Sequence, residues 1–257
     1  MKKYIYIVIA LVSIGSLFSA CKKDLKTFEG ETGIYFLPSV FTWEKKPIGD
    51  STVISFSYAK STLKDSVILI PVMISGPTST KDRDFKLTID PLSTAIPETH
   101  YKVLNENFKI PANGQTAVVS IMLHRTTDML TKDYVMTLNL ESNENFKTTM
   151  RDRVLDAASG RKISYISYKI HLNDILKKPA AWLDYYLGTF SRKKLFLMAE
   201  TAEIKNIGDL DNTSLTSISK VVFYGTFMQR YLNEMKASGK TIYEEDGKEM
   251  RMGDGVQ

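Results

Sequence analysis

The sequence of 257 residues has room for one large domain or two modest ones, and its 43% hydrophobic and 25% charged residues are typical of a globular protein. The net charge of +5 is spread over short basic clusters, which excludes the long basic run of a nucleic-acid-binding arm, so we expect no nucleic-acid partner. One cysteine excludes an internal disulfide framework, and three histidines leave few metal ligands, so we expect neither a metal site nor a cofactor.

The first twenty residues have the layout of a bacterial export signal. Lys2 and Lys3 form a short basic start, residues 4–18 are almost entirely apolar, and small residues precede Cys21. The apolar stretch of about fifteen residues is shorter than the roughly 20 that a membrane-spanning helix needs. Residues 1–20 are therefore predicted to be a signal peptide, and the protein is predicted to be exported.

The segment Leu17-Phe18-Ser19-Ala20-Cys21 resembles the lipobox of bacterial lipoproteins, although Phe18 stands where that motif usually has Leu. The resemblance implies that Cys21 is acylated and becomes the new N-terminus, and several acyl chains would anchor the protein durably in a membrane. An ordinary secretory signal cut after Ala20, which would leave a free thiol, is the alternative. Lys22 in place of an Asp implies sorting to the outer membrane, so we expect a lipid-anchored cell-surface protein with residues 21–30 as a flexible tether.

Alternating apolar and polar residues dominate the chain from Gly33 to Leu172 and predict β-strands separated by Gly, Pro, Asn and Asp turns. The predicted strands are 33–37, 52–58, 66–74, 85–89, 101–104, 115–123, 134–140 and 163–172. In the later strands one face is apolar and the other mixed, which is typical of an antiparallel sheet packed on one side. The pattern predicts a mainly β protein with an immunoglobulin-like β-sandwich over residues 31–176.

The stretches 94–101 and 108–114, with the two long strands that follow them, resemble the second half of a Calx-β-type sandwich. His100 stands where that pattern has Asp before Tyr, and the acidic cluster between the last strands is reduced to Asp128 and Asp133. Because calcium prefers several carboxylate oxygens, we expect the sandwich without the ion.

After Pro179 the apolar residues recur at helical spacing, so residues 177–257 are predicted to form a smaller helical region. A helix is expected over Arg192–Ala202 with Ser191 as its N-cap, and a longer one over Ser214–Ala237 that ends at Gly239. Asp246-Gly247 between extended flanks predicts a terminal hairpin. Whether this region packs on the sandwich or forms a separate lobe stays open.

The whole chain after the signal resembles an uncharacterised Bacteroidota lipoprotein family, domain of unknown function 4843. The matching segments are 33–36, 95–101, 188–194, 230–234 and 243–247, with Pro179 and Trp182 between them. The resemblance implies a surface lipoprotein encoded beside SusC/SusD-like outer-membrane uptake systems, and it assigns no catalytic residues.

Short motifs of known enzymes are present only in part. Ser191 and Lys194 have the serine-x-x-lysine spacing of penicillin-binding enzymes, but the partner motifs are missing, so a helix cap is the better interpretation. Gly239-Lys240-Thr241 lacks the first glycine of a phosphate-binding loop. We therefore expect no catalytic residues and a protein that is not an enzyme, although an unrecognised hydrolase site stays open.

Aromatic residues are the remaining candidates for ligand or partner contacts. Trp43 lies in a polar stretch, where it could stack on a sugar ring, dock a partner or fold onto the rim of the sandwich. Trp182, Tyr185 and Tyr186 could contact a ligand or partner, or form the boundary between sandwich and helices.

Two weak modification motifs occur near the start of the sandwich. Ser51 and Ser66 each follow an Asp and precede a Thr or an apolar residue, a pattern that resembles the O-glycosylation motif of exported Bacteroidota proteins. A motif this short arises about once by chance in a chain of this length.

The function that fits these features best is a non-catalytic lipoprotein accessory to a SusC/SusD-like transporter, which binds a glycan or oligopeptide nutrient or a partner protein. A structural or adhesive surface protein of the pilus-accessory kind is the alternative, and it predicts a donor-strand groove or polymers.

Overall fold

The computed structural model describes residues 30–44 and 47–257, so the predicted signal peptide, Cys21 and most of the tether lie outside the described residues. Twelve strands account for the first part of the chain. They are β1 (Gly33–Phe36), β2 (Ser51–Ser55), β3 (Asp65–Ser75), β4 (Arg83–Asp84), β5 (Lys86–Ile89), β6 (Tyr101–Val103), β7 (Lys109–Ile110), β8 (Thr116–His124), β9 (Tyr134–Glu141), β10 (Asp152–Asp156), β11 (Arg161–Ser164) and β12 (Ser167–Asn173).

Two four-stranded sheets, with orders β1-β3-β8-β6 and β2-β12-β9-β5, form the sandwich. All neighbours within them are antiparallel except β2 and β12, which run parallel. The first strand, β1, therefore pairs with β3 in one sheet. The chain then crosses to the other sheet, where β2 forms an edge beside β12. This arrangement confirms the predicted mainly β fold of immunoglobulin-like and Calx-β-like type.

The sandwich core follows from the strict alternation in the long strands. Val119, Ile121 and Leu123 of β8 are buried between the sheets, and the inward residues of β9 and β12 are buried in the same way. Burying one apolar face of each sheet removes apolar surface from water, which stabilises the fold by about 25 cal/mol for each Å² buried. The prediction that the later strands have one apolar face, packed on one side, is therefore confirmed.

Two features of the strand region differ from the sequence prediction. The predicted strand 163–172 is interrupted, because β11 ends at Ser164 and β12 begins at Ser167. β11 pairs with β10 in a separate two-stranded ribbon whose first strand is exposed at every position. Because β10 buries none of its residues, its sequence has no hydrophobic alternation, and this strand was not predicted.

Three helices follow the sandwich: α1 (Asp184–Leu187), α2 (Arg192–Thr201) and α3 (Ile218–Ala237), with a 3-10 turn at Ile207–Asp211. Ser191 caps α2 as predicted, because its hydroxyl accepts a hydrogen bond from the Lys194 amide. α3 begins four residues later than predicted, since Thr216 donates its hydroxyl to the Asp209 carbonyl and belongs to the preceding turn. The terminal hairpin is short, with a single bridge between Tyr243 and Glu249.

The helical region has its own hydrophobic core. Trp182, Leu195 and Met228 are buried there with residues of the C-terminal segment, and Tyr58 of the sandwich packs against the same cluster. Within residues 30–44 and 47–257, no helix combines the length and the apolar character needed to cross a bilayer.

Candidate functional site

A cleft of about 820 Å³ lies where the sandwich meets the helical region, and we call it the junction cleft. One wall is the loop between β2 and β3, the other is α2 with the segment that follows it, and the hairpin contributes Glu245 at one end. The residues that line it are Tyr58, Ala59, Lys60, Ser61, Thr62, Arg192, Lys193, Phe196, Ala199, Glu200, Glu203, Ile204, Lys205, Asn206, Ile207 and Glu245. This volume lies within the range of sites that bind small molecules or short oligomers.

The loop wall is held in place from both sides. Tyr58 inserts its half-buried ring toward the helical core, and burial together with the nearby charge of Asp211 raises the pKa of its phenol. Arg125, at the end of β8, donates from Nη1 to the Lys60 carbonyl at 2.9 Å. The loop therefore presents Lys60 and its neighbours from a fixed backbone.

The helical wall is one face of α2. Arg192, Phe196 and Glu200 recur at intervals of four residues, which places their side chains on the same side of the helix, and Glu203 follows just after α2 ends at Thr201. The guanidinium of Arg192 lies 5.6 Å from the centre of the Phe196 ring, a cation–π distance. The face thus combines a half-buried aromatic ring with exposed carboxylates.

A buried carboxylate joins the two walls. The Asp174 side chain is 4% exposed and accepts hydrogen bonds at 2.8 Å from Arg125 Nε and from Arg192 Nη2. Arg192 Nη2 also donates to the Asp174 carbonyl at 3.0 Å. Because Arg125 belongs to the sandwich and Arg192 to α2, this bridge connects the two walls and holds one guanidinium in the lining of the cleft.

Charged side chains of both signs line the rim. Lys60, Lys193, Lys205, Glu200 and Glu203 are exposed and make no ion pair within the described part of the chain. Such unpaired groups are free to bind polar atoms of a ligand, while the half-buried rings below them offer apolar contact.

Ser191 and Lys194 form a structural cluster with Glu244 beside the cleft. The Ser191 hydroxyl donates to Glu244 Oε2 at 2.6 Å, and the buried Lys194 ammonium lies 3.1 Å from Glu244 Oε1 and donates to the Thr189 carbonyl at 3.0 Å. The serine-x-x-lysine spacing therefore serves a helix cap and a buried ion pair that attaches the hairpin to α2.

Each of the three histidines is paired with an aspartate of the sandwich. His124 lies 2.7 Å from Asp65, and His171 lies 2.8 Å from Asp133. His100 is fully buried and lies 3.3 Å from Asp128. Within residues 30–44 and 47–257, no three His, Cys, Asp or Glu side chains come together as potential metal ligands.

Trp43 lies in a second cleft, of about 410 Å³, between β2 and the first half of β3, which we call the seam cleft. β1 pairs only with Val72–Ser75, so the β3 segment Asp65–Pro71 has no strand beside it on that edge among the described residues. Trp43 is half-buried, and its Nε1 is enclosed without a hydrogen-bond partner in the described structure. The predicted aromatic contact residue therefore lines the seam cleft and not the junction cleft.

The other predicted aromatic residues lie within the helical region. Trp182 is 3% exposed, donates from Nε1 to the Gly188 carbonyl at 2.9 Å, and packs edge-on against Phe190. Tyr186 packs partly buried against the same core, whereas Tyr185 is 65% exposed. The structure does not bring these three residues into either cleft.

The two predicted glycosylation sites differ in accessibility. Ser51 is exposed at the free edge of β2, whereas Ser66 is half-buried in β3 opposite Leu123 of β8. Ser51 is thus the better placed acceptor, and its modification stays a prediction.

The segment that forms the sandwich and the α2 wall of the cleft matches a known family. Residues 28–204 match the family described as Domain of unknown function (DUF4843). The chain belongs to the DUF4843 family. The match includes most of the lining of the junction cleft in this DUF4843 protein, with Lys205, Asn206, Ile207 and Glu245 outside it. None of the curated proteins matches it in sequence.

Several solved structures resemble this DUF4843 protein weakly. One is a Bacteroides ovatus ATCC 8483 protein provisionally described as carbohydrate-binding (TM-score 0.37, 10% identity, covering 56% of this chain and 38% of that one). Another is a Bacteroides ovatus protein of unknown function (TM-score 0.37, 12% identity, 56% and 52% covered). A third is CBD12 from CALX1.2 (TM-score 0.36, 10% identity, 55% and 43% covered). The chain thus spans about half or less of these proteins.

Sequence reasoning did not identify the junction cleft. Its walls come from residues 58–62 and 192–207, which are more than a hundred positions apart, with Glu245 from a third segment. The basic run Arg192-Lys193-Lys194 was the one visible signal, and its members separate in the fold, since Lys194 is buried while Arg192 and Lys193 line the cleft.

Proposed function

We propose that this protein is a non-catalytic, lipid-anchored protein of the outer-membrane surface that binds an oligomeric nutrient, a glycan or an oligopeptide, for a SusC/SusD-like uptake system. The junction cleft carries this proposal. It is large enough for a short oligomer, it is built from two separately packed cores, and its rim holds charged groups without ion-pair partners in the described structure.

The anchoring part of the proposal rests on Cys21 and the residues before it. Intact mass spectrometry of the protein purified from native membranes should give the chain from Cys21 plus acyl groups. The Cys21→Ala variant should be released from the membrane fraction. Wild-type protein with an unmodified Cys21 in the soluble fraction would contradict the anchor.

The transport part rests on the resemblance to lipoproteins encoded beside SusC/SusD-like systems. Mild detergent extraction followed by affinity purification should recover the protein together with a transporter pair, and nutrient uptake should fall when the protein is deleted. A protein that never copurifies with a transporter, and whose deletion leaves growth on polysaccharide and peptide mixtures unchanged, would contradict this role.

A structural or adhesive surface protein is the second candidate, and the seam cleft favours it. The free edges of β2 and β3 carry the exposed side chains of Val53, Val67 and Leu69. An unpaired strand edge with apolar side chains is able to accept a strand from another chain. Native gels and electron microscopy of the full-length protein should then show polymers, and a strictly monomeric protein would argue against this candidate.

A further inference from the structure

We infer that the junction cleft binds a neutral oligosaccharide, an inference that rests on the proposed ligand-binding function and names the ligand class. Three properties of the cleft lead to it: the aromatic residues among its lining, the kind of hydrogen-bonding groups on its rim, and the balance of its charges.

The aromatic residues come from opposite walls. Tyr58 belongs to the loop between β2 and β3, and Phe196 belongs to α2, and both rings are half-buried. Ala199, Ile204 and Ile207 add further apolar lining. A half-buried aromatic ring offers a flat apolar face to the C–H side of a sugar ring at little entropic cost.

The hydrogen-bonding groups on the rim of the cleft belong to side chains and not to the backbone of a free strand. Glu200 and Glu203 only accept hydrogen bonds, Lys60 and Lys205 only donate them, and Ser61 does both. A sugar hydroxyl donates and accepts, so it satisfies all three kinds of group. A peptide that binds by adding a strand needs a free strand edge, and the walls of this cleft are a loop, a helix and a turn. The free strand edges lie at the seam cleft.

The charges argue against an ionic polymer. Carboxylates of Glu200, Glu203 and Glu245 oppose a polyanion such as a uronic-acid polysaccharide, and the nearby cations oppose a polycation. With both signs in one cleft, a ligand of high charge always meets groups of like charge. A neutral, hydroxyl-rich ligand meets no such repulsion.

The experiment uses the detergent-solubilised full-length protein on an array that carries neutral glycans, uronic-acid glycans and a peptide library. The strongest neutral oligosaccharide is then titrated by calorimetry against two cleft variants. Phe196→Ala removes an aromatic face and Glu200→Gln removes an exposed charge with no fold contact of its own. Each variant should raise the Kd about tenfold.

Phe223→Ala is the matched control, because Phe223 is an exposed aromatic residue on α3 that does not line the cleft. It should leave the Kd unchanged, and all variants should keep the wild-type circular dichroism spectrum. Peptide binding that is weakened by the cleft variants would overturn the glycan class and leave the proposed function standing. Glycan binding with the same Kd in both cleft variants as in wild type, or a preference for acidic glycans, would also overturn this inference and leave the proposed function standing. Binding to no glycan and no peptide would overturn both.

Discussion

Asp128 organises a small polar cluster in the connection between β8 and β9. It accepts hydrogen bonds from the Thr126 hydroxyl and, at 2.6 Å, from the Tyr134 phenol. His100 accepts the Ile96 amide at Nδ1, which leaves Nε2 to face Asp128, and its ring lies 3.9 Å from that of Tyr134. The carboxylate therefore has its hydrogen bonds met by protein donors.

These donors stabilise the charged form of Asp128. The hydroxyl of Thr126, then the phenol of Tyr134, and to a smaller extent His100 hold the pKa of Asp128 well below its usual range, while Asp128 in turn raises the pKa of Tyr134. Because the native pKa lies below the unfolded one, the stabilisation is complete above about pH 4 and is lost as the pH falls toward the native pKa.

Substitution Asp128→Asn tests this linkage. The variant should be less stable than wild type at neutral pH, because the amide cannot accept from all of these donors. The difference should shrink as the pH falls below about 4, because Asp128 of the unfolded chain is then protonated and the folded protein gains less from keeping this carboxylate charged. Urea unfolding midpoints measured across this range check the prediction, and a difference that stays constant with pH would contradict it.

Lys194 gives the second prediction at this scale. Its side chain is 3% exposed, and Glu244 is its one carboxylate partner among the described residues. Glu244→Ala would leave the ammonium buried without a counter-charge, which costs about 3 kcal/mol of unfolding free energy. Chemical denaturation measures the loss.

The control for that substitution is Glu249→Ala, which removes a hairpin carboxylate paired with the exposed Lys236. An exposed pair contributes at most about 1 kcal/mol, so this variant should stay near wild type. Equal losses of unfolding free energy in the two variants would show that the buried ion pair stabilises the protein no more than the exposed one.

Among the elements, α3 is fitted closely to α1 at one glycine. A Cβ on Gly225 would lie 2.8 Å from the Tyr186 carbonyl oxygen, and that oxygen also accepts the Gly253 amide at 3.0 Å. The close approach of the two helices and the C-terminal segment therefore depends on the missing side chain.

Gly225→Ala should destabilise the protein by about 1–3 kcal/mol, because the added methyl group forces the two helices apart. This loss opposes the gain in helix propensity that alanine brings over glycine. Thr226→Ala is the matched control, since Thr226 is exposed on the same helix and should be neutral or slightly stabilising. Thermal unfolding of both variants measures the difference, and a stabilised Gly225→Ala protein would contradict the packing described.

The elements that the sequence predicted are those that bury one regular face. Apolar and polar residues alternate strictly in β8, β9 and β12, and Ser191 marks the start of α2. These strands and this helix start could therefore be predicted from residues that are close in sequence. The parallel pairing of β2 with β12 joins residues more than a hundred positions apart and leaves no local mark. The junction cleft depends on the same kind of distant contact, which is why Tyr58 and Phe196 were not recognised as neighbours.

Within the described residues, the two larger hydrophobic cores of the molecule meet at the junction cleft. The first lies between the sheets and the second among the helices, and Tyr58 reaches from the sandwich into the second. Asp174 stands at the end of the last sandwich strand, and its amide donates to the Met129 carbonyl at 2.9 Å. Its carboxylate therefore couples two units that have their own packing.

Replacing Asp174 with alanine tests that coupling. The substitution leaves Arg125, which is 9% exposed, without its carboxylate, and Arg192 loses its ion pair and keeps only its hydrogen bond to the carbonyl of residue 174. Breaking a buried pair in this way costs about 3–5 kcal/mol. We expect the substitution to weaken the contact between the two cores more than either core itself. Calorimetry should then show one unfolding transition for wild type and two separated transitions for Asp174→Ala.

Asp133→Ala is the control for the coupling, because Asp133 makes a comparable contact to His171 with both side chains about one-third exposed. Removing a half-exposed pair should change stability by at most about 1 kcal/mol and keep a single transition. Ligand binding in the junction cleft should weaken in Asp174→Ala and not in Asp133→Ala, since only the first removes an ion pair of a residue that lines the cleft. A single unshifted transition in Asp174→Ala would mean that the apolar contact of Tyr58 holds the cores together without the ion bridge.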